Sequence, residues 1–181
     1  SVTGVQTCAL PIYARNAMVA LLAVNIYGIK LSDGINSLKK FKGVAKRQDV
    51  LMDEERLLLI EDFAHHPTAI ETTLKGIKKA YSNRKIYAAI ELRSNTMKSG
   101  FHDDRLINVC SLVDKVFWKS EDKDQVKRLV EALPDKSSQI INIENFIDEF
   151  KQINRKGDVL VVMSNGNFDN LSQLLMNEFK K

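Results

Sequence analysis

The stretch Leu57-Leu58-Leu59-Ile60-Glu61-Asp62-Phe63-Ala64-His65-His66-Pro67-Thr68-Ala69-Ile70-Glu71-Thr72-Thr73-Leu74 passes from strand to turn to helix. Residues 57–60 form an unbroken apolar run of strand length. Pro67 opens a helix over 67–81, because proline lacks the N–H that a first turn leaves unpaired and its fixed φ suits that position. Upstream, residues 50–52 read as a second short strand, turning at 53–55 into the first as a hairpin. Downstream the alternation repeats, with strands over 85–92, 115–118, 139–142 and 158–163 and helices over 103–112, 122–132, 143–154 and 170–179. Strands separated by helices predict a mostly parallel α/β sheet covered on both faces.

Before the hairpin the pattern differs. Residues 13–29 are rich in Ala, Leu and Val at helical spacing, with Gly28 near the end. Ser32 and Asp33 offer an N-cap region for a second helix over 34–41. A basic connector over 42–47 carries Gly43, and the domain boundary is placed there, between 13–46 and 47–181. The 181 residues are 44% hydrophobic with mean hydropathy −0.21, enough for a real core and too apolar for a disordered chain. The one long apolar run, 17–29, contains Asn25 and is too short to span a bilayer. With 27 basic and 23 acidic residues well mixed, no nucleic-acid partner is expected. Cys8 and Cys110 have neither metal-ligand spacing nor a disulfide framework, and Cys110 reads as a buried, inert thiol. A soluble, cytoplasmic protein with no membrane partner is the expectation. Residues Val2 to Ile12 match the conceptual translation of a common sequencing adapter. They lack the basic start of a signal peptide. Residues 1–12 are therefore expected to be an artefact, and the chain a fragment of a longer one.

Ligands of open parallel sheets bind at the carboxyl ends of the strands, which singles out three loops. Asp62 and the histidine pair His65-His66 follow the first strand quoted above. Asp62 suits ribose hydroxyls or the magnesium side of a nucleotide, and the histidines precede a helix whose free N–H groups favour anions. The same residues also serve as ordinary turn caps. Arg93, Ser94 and Asn95 follow residues 85–92, where an arginine can grip a carboxylate or phosphate in bidentate fashion, or simply sit in solvent. Ser164 and Asn165, followed by Gly166, could bond a peptide or form a plain strand-to-helix turn. Lys42, Lys46 and Arg47 either meet phosphates or make an exposed linker, and His102 reads as surface or packing. No phosphate loop of the form G-x-x-x-x-G-K-[ST] occurs.

The string from Asp62 to Leu74 resembles the start of the C-terminal domain in the Mur ligase family. Glu91-Leu92-Arg93-Ser94-Asn95-Thr96-Met97-Lys98, Met163-Ser164-Asn165-Gly166 and the Phe41-to-Arg47 connector agree with it. Within the family, the likeness is greatest to the branch joining UDP-N-acetylmuramate to the tripeptide L-alanyl-γ-D-glutamyl-meso-diaminopimelate in peptidoglycan recycling. The resemblance implies a Rossmann-like C-terminal domain preceded by the last helices of a central ATP-binding domain. It implies Asn16 at the adenine, with its usual histidine partner falling at Ile12, Arg47 near the nucleotide and Asp62 at the ribose. His65 and His66 would lie beside the reaction centre, and Arg93, Ser94, Asn95, Ser164 and Asn165 would face the incoming peptide. Leu92 replaces a usual proline, Gln48 a bulky hinge residue, and Asn167, Asp169 and Asn170 replace glycines.

The implied reaction phosphorylates the muramoyl carboxylate with ATP, and the tripeptide amine then displaces phosphate to form an amide. Positioning and charge neutralisation dominate such chemistry. The phosphate loop, the magnesium ligands and the UDP-sugar site would belong to the missing N-terminal domains, so the fragment alone is expected to be inactive. The alternatives are the L-alanine-adding branch of the family and a non-catalytic binding module.

Overall fold

A computed structural model describes residues 11–41, 44–93, 100 and 102–180. Two helices, α1 (Pro11–Ile26) and α2 (Leu31–Leu38), precede a sheet of six strands. The strands are β1 (Asp49–Asp53), β2 (Leu57–Asp62), β3 (Ile86–Leu92), β4 (Lys115–Ser120), β5 (Ser137–Gln139) and β6 (Asp158–Met163). Between and after them run α3 (Pro67–Ala80), α4 (Asp103–Cys110), α5 (Lys123–Ala132), α6 (Ile143–Ile153) and α7 (Leu171–Phe179). The strand order is β1-β2-β6-β3-β4-β5, with β1 antiparallel to β2 and every other pair parallel. This is the doubly wound, Rossmann-like α/β sheet expected.

The apolar runs are strands because both of their faces are buried. Leu58, Ile60, Ile86, Ala88, Ile90, Val116, Trp118, Val159 and Val161 point to one side, where Ile70, Leu74 and Ile77 of α3, Leu106 of α4 and Leu129 of α5 close the core. The alternate residues Leu57, Leu59, Tyr87, Ala89, Phe117, Leu160 and Val162 point to the other, against Phe146 and Phe150 of α6 and Leu171 and Leu175 of α7. Each fully buried Leu, Ile or Phe here contributes roughly 1.5–3 kcal/mol. Period two in the strands and period 3.6 in the helices thus yield two cores on one sheet.

Most boundaries move by a few residues from the sequence expectation, and the differences at α2, β5 and α7 have a physical reason. Helix α2 begins at Leu31 rather than 34, with Lys30 at its N-cap and no side-chain capping bond. Gly34 falls inside α2, where a Cβ would come within 2.6 Å of Leu21 Cδ2; the glycine lets α2 approach α1. Strand β5 covers 137–139 rather than 139–142, because Asn142 is needed elsewhere: its side chain accepts from Asn145 N at 3.0 Å and caps α6. Ile141 stays 84% exposed. Ahead of α7 the chain makes a short turn, Phe168–Asn170, in which all three residues have positive φ, 45°, 49° and 58°.

That turn suits two of the three positions at which the resemblance implies glycine, Asp169 and Asn170, whereas Asn167 has a φ of −102°. Asn and Asp tolerate the left-handed region better than other non-glycine residues, so Asp169 and Asn170 can keep a turn that glycine would otherwise supply. No helix among the described residues is long and apolar enough to cross a membrane. Asn170 is exposed, so its backbone can be tested without a burial effect. Asn170→Val should destabilise the chain by about 1–2 kcal/mol, whereas Asn170→Gly should stay within about 0.5 kcal/mol of the parent, both measured by urea unfolding.

Candidate functional site

Strands β2, β6 and β3 are neighbours, with Asp62 opposite Met163 and Ile90 opposite Met163 in the parallel register. Their carboxyl ends therefore leave the sheet side by side. The three loops singled out in the sequence thus start from one edge, and residues 44–48 cross it.

Asp62 anchors that crossing. It is 2% exposed, and its Oδ1 accepts from Ala64 N at 2.7 Å while its Oδ2 accepts from Gln48 N at 2.9 Å. Burial raises its pKa above the ordinary value, and the two N–H groups, Arg47 and the Thr73 hydroxyl pull it back down. Phe63 N donates to Lys46 O at 2.7 Å, and the Lys46 ammonium donates to Gly166 O at 2.8 Å. The Arg47 guanidinium lies 5.2 Å from the centre of the Phe63 ring. Lys46 and Gln48 both have positive φ, 57° and 50°, a backbone that costs a side-chain-bearing residue about 1–2 kcal/mol. The connector is thus stitched, in a strained form, across the ends of β2 and β6. Both Asp62 oxygens are spent on the chain's own backbone. Gln48, buried, has no hydrogen-bond partner on either side-chain polar atom among the described residues.

The two histidines diverge, as adjacent residues on an extended turn must. His65 Nδ1 lies 3.0 Å from Phe63 O, so that nitrogen carries a proton, and the ring meets Phe63 edge-on with centroids 5.3 Å apart. His66 caps α3: its Nδ1 accepts from Thr68 N at 3.4 Å, which puts the proton of its neutral form on Nε2. The neutral pair therefore offers one acceptor nitrogen and one donor nitrogen. His102 packs against His66 with ring centroids 4.9 Å apart, and Arg105 donates to the Thr68 hydroxyl at 3.2 Å. Partial desolvation, and then the nearby charges of His102, Arg105 and His65, lower the His66 pKa below the ordinary histidine value and favour its neutral form.

The second cluster centres on a residue absent from the sequence-level candidates. Glu91 is 6% exposed, and its Oε2 accepts from Ser164 Oγ at 2.5 Å. The same oxygen lies 3.9 Å from Arg93 Nη1, and its Oε1 lies 3.8 Å from Lys119 Nζ. Lys119 also pairs with Asp169. Ser164 Oγ in turn accepts from Gly166 N at 2.8 Å, so the hydroxyl builds its own loop. The Arg93 side chain lies across Gly166, where a Cβ would run into the guanidinium. Asn165 is half-buried, and its Oδ1 has no partner among the described residues.

Of the remaining sequence candidates, Asn16 is exposed on α1, while Ser94 and Asn95 lie outside the described residues, as do residues 1–10 of the expected artefact and Lys42. His102, read from sequence as surface or packing, is brought to the site by α4. Glu91 and Lys119 carry a signal in the strand alternation. They occupy the facing positions of β3 and β4 that continue the buried Tyr87, Ala89 and Phe117 series, and a charge at the end of such a series must be paired. Cys110 is buried and burial pushes its thiol pKa far up, as expected of an inert core cysteine. Among the described residues no three His, Cys, Asp or Glu side chains gather to hold a metal ion.

The sequence profile described as Mur ligase, glutamate ligase domain, matches residues 46–166. The UDP-N-acetylmuramate–L-alanyl-γ-D-glutamyl-meso-2,6-diaminoheptandioate ligase of Haemophilus influenzae is 30% identical over 174 residues, covering 92% of this chain and 37% of that protein. The UDP-N-acetylmuramate–L-alanine ligase of Brachyspira hyodysenteriae is 29% identical over 170 residues, 85% of this chain and 36% of that one. Among solved structures, a murein peptide ligase from Psychrobacter arcticus superposes with a TM-score of 0.68 at 32% identity, covering 98% of this chain and 37% of the other. An isolated domain from Haemophilus ducreyi, assigned to the same class of ligase, superposes at 0.62 and 25% identity, covering 73% of this chain and 98% of the other. The chain thus spans a little over a third of the length of the relatives it matches.

The histidine contact generates a test. In a proton NMR titration, His66 should titrate below the ordinary 6.5, and His102→Gln should move its midpoint upward by removing one neighbouring positive charge.

Proposed function

The chain belongs to the Mur ligase family, and from that premise we propose that it is the acceptor-binding part of an ATP-dependent ligase. That ligase joins the carboxyl group of UDP-N-acetylmuramate to the amine of L-alanyl-γ-D-glutamyl-meso-diaminopimelate in the cytoplasm, within peptidoglycan recycling. The observation that carries this is the strand-end wall in which Arg93 lies across Gly166, beside Glu91, with Lys46 and Lys119 flanking it. A wall of that kind suits an amine substrate that carries carboxylates of its own. The relatives named for the tripeptide reaction support the same substrate.

ATP, with magnesium held by upstream residues, supplies the activation of the muramoyl carboxyl group. The residues of this chain bind and orient. Asn16 and the exposed Arg47 face the nucleotide. Asp62, whose oxygens hold Gln48 and Ala64, acts through the hinge that aims Arg47. The donor nitrogen of His66 and the acceptor nitrogen of His65 stand at the reacting carbonyl and handle the proton that leaves the amine. Arg93, Ser94, Asn95 and Asn165 receive the peptide, and Ser164 shapes the loop that presents Asn165. Helices α1 and α2 carry Met18, Val19, Leu22, Ile26 and Ile35 in exposed positions, an apolar surface suited to packing against a phosphate-loop domain. Residues 13–46 are accordingly assigned to that central domain, and 47–181 to the acceptor domain that closes on it.

The L-alanine reaction is the second reading, since relatives named for it match nearly as much of the chain. It leaves Arg93 without a substrate carboxylate that reaches so far. Three measurements test the proposal. The 181 residues alone should release no phosphate from ATP. A complete ligase carrying them should use the tripeptide in preference to L-alanine. Arg93→Ala should raise the peptide KM at least tenfold while leaving the ATP KM within twofold. Turnover by the chain alone, or a preference for L-alanine, would contradict it.

A further inference from the structure

The wall contains one buried ionisable group that the proposed reaction leaves without a task. Glu91 is the next-to-last residue of β3, directly opposite Lys119 of β4 and beside the end of β6. Two loops and a strand meet on its two oxygens: Ser164 from the β6 loop at 2.5 Å, Arg93 from the β3 loop at 3.9 Å, and Lys119 from β4 at 3.8 Å. A buried carboxylate of this kind is not explained by stability, because desolvation offsets much of what its partners return and apolar residues of the same volume usually do as well. Its partners are also unequal. The Arg93 side chain is 52% exposed and Lys119 has a second carboxylate in Asp169, so neither needs Glu91 to remain folded.

We infer that Glu91 is a positioning residue of the acceptor wall, acting through Arg93. Its carboxylate draws one edge of the guanidinium down over Gly166 and leaves the other N–H groups free for a carboxylate of the incoming peptide. Gly166 is the second half of the device. Lys46 holds its carbonyl and Ser164 holds its N–H, so the surface under Arg93 is fixed from both sides. The register of the sheet thereby sets how far the arginine reaches, and with it which acceptor carboxylate fits. The assignment of the peptide rests on the function proposed above, whereas the coupling of Glu91 to Arg93 does not.

The test has two arms. In the 181-residue chain, labelled with ¹⁵N, the Arg93 Nη resonances should be shifted by the carboxylate 3.9 Å from Nη1. Glu91→Gln should remove that shift while leaving Arg47, stacked on Phe63, unaltered; an unchanged Arg93 signal overturns the inference. In a complete ligase, Glu91→Gln should raise the tripeptide KM about tenfold, with kcat and the ATP KM within twofold. In an Arg93→Ala background the same substitution should change the peptide KM less than twofold, because residues acting through one another are not additive. Additive losses, or a uniform fall in every constant, overturn it. If Glu91→Gln fails to fold, Glu91→Asp, which withdraws the carboxylate by one methylene, carries the same expectations and the same refutation. A wild-type ligase that ignores the tripeptide would refute the substrate assignment, and the NMR arm would still decide the coupling.

Discussion

Strands β2, β6 and β3 run parallel and in register at the centre of the sheet, and everything proposed for the chain depends on that pairing. It brings residues far apart in the chain, Asp62, Glu91 and Ser164, to the same height at one edge. Alternation then sorts them. Asp62 continues the series Leu58 and Ile60 toward α3, while Glu91 and Ser164 continue the series that faces α6 and α7. The edge is consequently divided into a hinge side and a wall side, with Gly166 touched from both by Lys46 and Arg93.

The hinge side stores strain. Two side-chain-bearing residues with positive φ flank Arg47, a buried carboxylate binds one of their N–H groups, and the Gln48 amide is buried without a partner among the described residues. Each of these is costly alone, and together they describe a segment held in one of its possible forms. The function proposed above, in which this connector joins a nucleotide-holding domain to an acceptor domain, calls for that property, because closure requires a second conformation of comparable energy.

Much of this was legible in the sequence. The apolar runs and Pro67 define the elements because their signals are local, whereas the Asn142 cap was hidden inside an expected strand. The α/β class follows from their alternation, and the family resemblance rests on three ordered motifs. What was not legible depends on register. Glu91 and Lys119 look like ordinary charges at strand ends until β3 and β4 are aligned. His102 looks solitary until α4 is packed beside α3. Ser164 was expected to face a peptide, and nothing in its neighbours reveals that its hydroxyl is turned toward Glu91. Asp62 was placed at the right strand end, but the Gln48 N–H that occupies it comes from across the connector.

In the proposed ligase the carboxyl edge of β2, β6 and β3 receives the amine substrate. Photo-crosslinking of a complete ligase with a tripeptide bearing a diazirine, followed by mass-spectrometric mapping of the adducts, tests this at the site itself. Adducts are expected within residues 62–66, 91–98 and 164–170. Adducts confined to α1 and α2, or to the opposite edge of the sheet near Glu55 and Lys156, would contradict it.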